Sequence, residues 1–144
     1  MYSEVYEVST ATMRFFNVYG PRNPMIGQYT PVVAIFERQK KDNTPLTIVG
    51  DGEQRRDFTF VRDICSGLEL ASRDTWNGEI FNLGTGMNYS INELAGMYNH
   101  EKVHIPARPG EARISLADNS KTVELLGWEP QQDLEEYIKS ITCK

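Results

Sequence analysis

The chain has 144 residues, 40% hydrophobic and 24% charged, a composition that excludes a disordered segment and suits one globular domain with a buried core. Its 15 basic and 20 acidic residues leave a net charge of −5 with no long basic run, so the electrostatic footprint that nucleic acid requires is missing. Two distant cysteines, Cys65 and Cys143, form neither a disulfide framework nor a metal-ligand pattern, and no stretch reads as a signal peptide or membrane span, so a reducing cytoplasm is expected.

Tyr2 to Tyr6 reads as the tail of a helix. Thr12 to Tyr19, rich in aromatic and β-branched residues and stopped by Gly20-Pro21, predicts a buried strand running into a loop. Val32, Val33, Ile35 and Phe36 then recur at helical spacing, which predicts a helix from about Pro31 to Lys41. Leu46 to Val49 predicts a short strand, Gly50-Asp51-Gly52 a tight turn, Arg56 to Val61 an alternating strand, and Asp63 to Arg73 a helix. Glu79 to Leu83 predicts another strand, followed by Gly84-Thr85-Gly86. Ser90-Ile91-Asn92-Glu93 is a capping box opening a helix that buries Ile91, Leu94, Ala95 and Tyr98. Lys121 to Leu126, closed by Gly127, and a last helix opened by Asp133 complete the chain.

Two motifs mislead. His100-Glu-Lys-Val-His104 matches a zinc-peptidase pattern, with Glu124 as a third ligand. The apolar stripe nevertheless stops at Tyr98, Pro106, Pro109 and Gly110 follow, and Val103 to Pro106 reads as a strand, so no metal site is expected. Gly84-x-Gly86 has Tyr89 where a dinucleotide fingerprint needs its third glycine, and reads as a tight turn.

Four segments carry the functional signal in order: Arg14-Phe-Phe-Asn-Val-Tyr-Gly-Pro-Arg22, Gly50-Asp-Gly-Glu-Gln-Arg-Arg-Asp-Phe58, Phe81-Asn-Leu-Gly-Thr-Gly86 and Arg108-Pro-Gly-Glu111. Together they resemble the extended short-chain dehydrogenase/reductases that act on nucleotide sugars, from about residue 2 to residue 140. The resemblance implies an α/β fold, the C-terminal part of that family's fold without most of the Rossmann domain. Residues 1–144 would form a single fragment, with the last strands of the dinucleotide-binding sheet interleaved with the small nucleotide-sugar-binding domain. It also implies that Arg56 and Arg108 contact the substrate diphosphate, Glu111 accepts from the ribose hydroxyls, and Asn17 donates to the diphosphate. Val32 would line the substrate site, and Thr47 and Val49 the nucleobase pocket, where relatives often carry an aromatic residue in place of Val49. Phe15 and Phe16 would border the nicotinamide end. Guanidinium groups suit the diphosphate because they give bidentate, charge-assisted bonds. The ordinary alternatives are an ion pair of Arg56 with Asp57 or Asp63 and a solvated loop charge at Arg108.

The family's chemistry is hydride transfer to and from NAD, with a tyrosine base, a lysine four residues later, and a nearby Ser or Thr. Tyr2 is followed at that spacing by Tyr6, so no catalytic residue is assigned, and the chain alone is expected neither to retain NAD nor to turn over substrate. Parallel strands are ordinarily covered on both faces, so the chain is expected to self-associate or to be completed by a separate N-terminal half. The leading ligand is a uridine diphosphate sugar and the leading branch a 4-epimerase. A dehydratase or decarboxylase branch, or a non-catalytic nucleotide-sugar-binding or assembly module, is the alternative.

Overall fold

The computed structural model describes residues 1–27 and 29–142, so Cys143 and Gln28 of the Asn23–Tyr29 loop lie outside the described residues. After a short helix α1 (Tyr2–Tyr6), strand β1 (Thr10–Phe15) pairs in parallel with β6 (Asn77–Leu83), running from Ala11 opposite Glu79 to Phe15 opposite Leu83. The single strand expected over residues 12–19 is broken. Asn17 takes a φ of 24°, and beyond it β2 (Val18–Tyr19) leaves β6 and pairs in parallel with β5 (Thr59–Phe60). The Asn17 side-chain amide donates to the Asp57 carbonyl at 2.8 Å, which stabilises this crossover of the backbone from one partner strand to the other.

The alternating strand expected over residues 56–61 is likewise divided. β4 (Arg55–Arg56) pairs antiparallel with β7 (Tyr89–Ser90), whereas β5 pairs with β2, and Asp57 through Phe60 are all buried. Alternation fails because this segment passes between two layers, with Phe58 and Phe60 in the core and Asp57 bonded to the opposite side. Helix α3 (Val61–Ala71) begins directly after β5, two residues ahead of Asp63. The Asp63 carboxylate does not cap its own helix but accepts the amides of Gln131 and Gln132, each at 3.1 Å, fixing the approach to the last helix.

The remaining elements match the sequence patterns closely. Helix α2 (Val32–Lys41) starts after Pro31, whose φ of −61° suits a helix entrance, and carries Arg38, Lys40 and Lys41 in its last turn. Strand β3 (Leu46–Val49) pairs in parallel with β8 (Lys102–Ile105). Helix α4 (Ile91–Met97) has both halves of its capping box, the Glu93 amide donating to Ser90 Oγ at 3.0 Å and the Ser90 amide to Glu93 Oε2 at 2.6 Å. Helix α5 (Ser120–Leu126) ends on Gly127 in the left-handed region, and α6 (Leu134–Thr142) begins beside Asp133.

The principal core joins Tyr19, Phe36, Ile48, Phe60, Tyr98 and Ile138, so it ties α2, β3, α4 and α6 into one unit. A smaller cluster of Ile64, Leu83 and Trp128 packs α3 against β6, with the Trp128 indole donating to the Asp63 carbonyl at 2.8 Å. Among the described residues β1 pairs with β6 alone, and Tyr2, Val5, Tyr6, Val8, Phe15 and Ile80 are exposed nearby.

Candidate functional site

The site starts at the turn Gly50-Asp51-Gly52, where Gly50 and Gly52 have φ of 62° and 74°. A Cβ at Gly52 would lie 2.2 Å from Asn92 Oδ1, so the turn is pressed onto the start of α4 and needs glycine there. Asp51 receives both terminal nitrogens of Arg113 at 2.8 Å, and this bidentate contact holds its carboxyl down to about 2. Gln54 is buried and donates to the Val49 carbonyl at 3.1 Å, which returns the chain toward the end of β3 and delivers Arg56 beside it.

A cleft of about 260 Å³ opens at this point. The residues nominated for substrate from the sequence, Asn17, Val32, Thr47, Val49, Arg56, Arg108 and Glu111, all line it, although they come from the β1 crossover, α2, β3, β4 and the loop after β8. Phe15 and Phe16 lie outside it: Phe15 is exposed at the end of β1, and the Phe16 ring packs over Gly84. Thr30, Pro31, Ile35, Gln54, Ile91 and Ile105 complete the wall and were not nominated. Gln54 was legible as part of the Gly50 to Phe58 segment. Pro31, Ile35, Ile91 and Ile105 carry only the signal of apolar residues in or beside helices and strands, and Thr30 carries none.

Val32, Ile35, Val49 and Ile105 give the lining its apolar surface, and Arg56, Arg108 and Glu111 give it charge. Arg56 pairs with neither Asp57 nor Asp63. Its Nη2 lies 3.3 Å from Glu111 Oε1, with 14% of the arginine side chain and 36% of the glutamate exposed, and its Nη1 donates to the Arg55 carbonyl at 2.9 Å. Arg108 is exposed at the rim. A second depression of about 240 Å³ shares the Val49, Gln54, Arg108 and Glu111 wall and ends at Asp51 and Arg113. Arg38 donates to the Met25 carbonyl at 2.6 Å and so anchors the loop that leads into the cleft, a duty its place on the polar end of α2 does not suggest.

Asp57 is fully buried, and its carboxylate accepts the Thr85 amide and hydroxyl on one oxygen and the Gly86 and Ala117 amides on the other. This settles the character of the Gly84 turn. The Thr85 and Gly86 amides that a pyrophosphate would need are already committed to Asp57, so the turn does not fit a dinucleotide. The histidines likewise fall on non-helical backbone, His100 at the Thr44 carbonyl (3.0 Å) and His104, within β8, at the Gly50 carbonyl (2.8 Å). Their spacing therefore does not reproduce the single helical face that a zinc pair uses.

Residues 1–141 match the family model described as GDP-mannose 4,6 dehydratase. The chain belongs to this family. Within it, the chain is 36% identical over 148 residues to a putative UDP-glucose 4-epimerase of Methanocaldococcus jannaschii, covering 98% of this chain and 47% of that protein. The crystal structure of the Thermotoga maritima UDP-glucose 4-epimerase with UDP-glucose superposes with a TM-score of 0.90 at 35% identity, covering 98% of this chain and 47% of that one. The Bacillus cereus UDP-glucuronic acid 4-epimerase, in complex with UDP-glucuronic acid and NAD, gives a TM-score of 0.86 at 29% identity, covering 99% and 46%. The chain thus spans about half the length of the relatives it matches and corresponds to the C-terminal portion of the extended short-chain dehydrogenase/reductase fold. NAD is a ligand in that family. Among the described residues no helix is long and apolar enough to cross a membrane.

Proposed function

We propose that this chain forms the nucleotide-sugar side of an NAD-dependent sugar 4-epimerase, with a uridine diphosphate sugar as its ligand. The observation that carries the proposal is the convergence of two guanidinium groups, one carboxylate and an apolar wall on a single cleft. Arg56 and Arg108 grip the diphosphate, Glu111 accepts from the ribose hydroxyls, and Thr47 and Val49 border the base. Asn17 offers the second hydrogen of its side-chain amide to the diphosphate, the first being held by the Asp57 carbonyl. Phe15 and Phe16 are left for the cofactor side. The Methanocaldococcus jannaschii and Thermotoga maritima relatives are named as UDP-glucose 4-epimerases, the former as putative, and these two support the choice of base and branch over the dehydratase named in the family description.

NAD supplies the hydride chemistry of such an enzyme. The groups that hold it, and the tyrosine and lysine that move the proton, are contributed outside this chain's cleft, by a further segment or a separate polypeptide that also covers β1. On this reading residues 1–144 are a single fragment in which the last strands of the dinucleotide-binding sheet are interleaved with the small nucleotide-sugar-binding domain.

Calorimetry with uridine diphosphate on the folded chain tests this reading. Arg56→Ala and Arg108→Ala each remove a charge-assisted bond of about 1.5 to 3 kcal/mol and should weaken binding roughly tenfold to a hundredfold. Arg73→Ala, at an exposed i,i+4 pair with Glu69 and outside the cleft lining, is the control. Equal affinity in the parent and all three variants would remove the diphosphate site from this cleft.

A further inference from the structure

We infer that Asp57 is a positioning residue, which holds Arg56 and the Arg108–Glu111 loop at one fixed separation across the cleft. Three consecutive residues grip that loop at different heights. The Arg55 backbone donates to the Arg113 carbonyl at 2.9 Å and accepts the Ser115 amide at 3.0 Å. The Arg56 guanidinium reaches Glu111 at 3.3 Å, and the Asp57 carboxylate takes the Ala117 amide at 3.1 Å. The same carboxylate is fastened from behind by the Thr85 amide (2.9 Å), the Thr85 hydroxyl (2.7 Å) and the Gly86 amide (3.0 Å). Asp57 is therefore the point where the strand carrying one arginine, the turn after β6, and the root of the loop carrying the other arginine meet.

The chemistry demands a carboxylate. Both oxygens accept, each from two donors, and none of the four hydrogens comes from Asp57. An asparagine of the same shape would satisfy one pair and turn an N–H toward the other, whichever way its amide lies. Packing at this junction is equally restrictive. A Cβ on Gly84 would stand 2.3 Å from the Ala117 Cβ and 3.0 Å from Asp57 Oδ2, so the turn and the loop root touch only because residue 84 lacks a side chain. Without these bonds Ala117 loses its anchor on the strand side, and the loop holding Arg108 and Glu111 rests on the Arg55 backbone, the Arg56–Glu111 and Asp51–Arg113 pairs and the Asn88 amide at the Ser115 carbonyl.

A matched control exists in the same molecule. Asp63 is also a buried carboxylate accepting backbone amides, but those belong to Gln131 and Gln132, away from the cleft. The experiment compares the parent chain, Asp57→Asn and Asp63→Ala by amide hydrogen exchange without ligand, and by calorimetry with inorganic pyrophosphate; alanine is used at Asp63 because both amides there meet one oxygen, which an asparagine would keep. Both variants should lose thermal stability. Asp57→Asn should speed exchange at Ser115 and Ala117 by about tenfold or more and weaken pyrophosphate by about tenfold, whereas Asp63→Ala should alter Gln131 and Gln132 and leave Ser115 and affinity within about twofold. Because Ser115 does not touch Asp57, local loss of one bond cannot mimic this result. Unchanged Ser115 protection in Asp57→Asn, or an equal effect of both variants on Ser115, overturns the inference. If Asp57→Asn does not fold, Thr85→Val removes the hydroxyl, with its bonds to Asp57 and to the Met87 backbone, and should still speed Ala117 exchange about threefold, an unchanged rate again overturning the inference. The pyrophosphate arm rests on the proposed function. A parent chain that binds no pyrophosphate refutes that function, while the exchange arm still decides the role of Asp57.

Discussion

Glu111→Gln separates two jobs of one carboxylate, the pairing with Arg56 and the proposed acceptance from the ribose hydroxyls. Without ligand, Glu111 neutralises Arg56 at 3.3 Å, and both groups remain partly solvated. At that separation the bare Coulomb attraction at an effective dielectric of 20 is about 5 kcal/mol, but desolvation and side-chain ordering reduce the net worth of such pairs to about 0.2 to 1 kcal/mol. A diphosphate must displace the carboxylate to reach Arg56. Removing its charge should therefore tighten inorganic pyrophosphate by about 1.5-fold to fivefold. A nucleoside diphosphate shares that gain but exchanges a charge-assisted ribose contact for a neutral one, a loss of about 1 kcal/mol. The decisive quantity is the ratio of the pyrophosphate to the uridine diphosphate dissociation constant, in which the shared gain cancels. Calorimetry should show this ratio falling about fivefold. Weaker pyrophosphate binding in Glu111→Gln, or an unchanged ratio, would refute the assignment of Glu111 to both partners.

Val49→Phe places an aromatic face on the wall between the cleft and the adjoining depression, and base stacking of about 1 to 3 kcal/mol should tighten uridine diphosphate roughly tenfold without moving pyrophosphate more than about twofold. A parallel change in pyrophosphate would put Val49 at the wrong end of the site. Glu37 gives a pH prediction. Burial raises its carboxyl above the ordinary glutamate value of 4.5, outweighing the Tyr137 hydroxyl bond that lowers it. A raised folded pKa means the folded chain binds the proton more tightly, so this contribution to stability is full below about pH 4.5 and is lost as pH rises through the folded value. Glu37→Gln should raise the melting temperature at pH 7 relative to the parent and lose that advantage near pH 4, as followed by circular dichroism.

Sequence pattern gave a good account of elements whose residues face one layer. The apolar spacing of α2, the Ser90 capping box and the Gly127 terminus each depend on neighbours a few residues away, and each is found as expected. Pattern failed at Thr12–Tyr19 and Arg56–Val61, where the chain changes partner strands at Asn17 and Asp57. Those changes are set by bonds between distant residues, which leave no periodic trace. Asp57 shows the same limit: its neighbour in sequence is Arg56, and an ion pair was the natural alternative, yet its bonds run to Thr85, Gly86 and Ala117. Of the nominated substrate residues, Asn17, Arg56, Arg108 and Glu111 stand in the ordered motifs, whereas Val32, Thr47 and Val49 came from the family resemblance alone, and all seven line one cleft.

The bonds that shape this cleft also place it late in folding. Glu111 lies 55 residues from Arg56, and Ala117 lies 60 residues from Asp57, so the loop cannot be closed by any local turn. Its ends must be brought together at an entropic cost that only the surrounding cores can offset. Helices α2 and α4 can form early from their own signals, but the charged lining of the cleft exists only after nearly the whole chain has condensed. A nucleoside diphosphate bound as proposed would thus be a ligand of the native state alone. At a concentration of 100 times its dissociation constant it would deepen the folded basin by about 2.7 kcal/mol and raise the barrier to escape without hastening collapse.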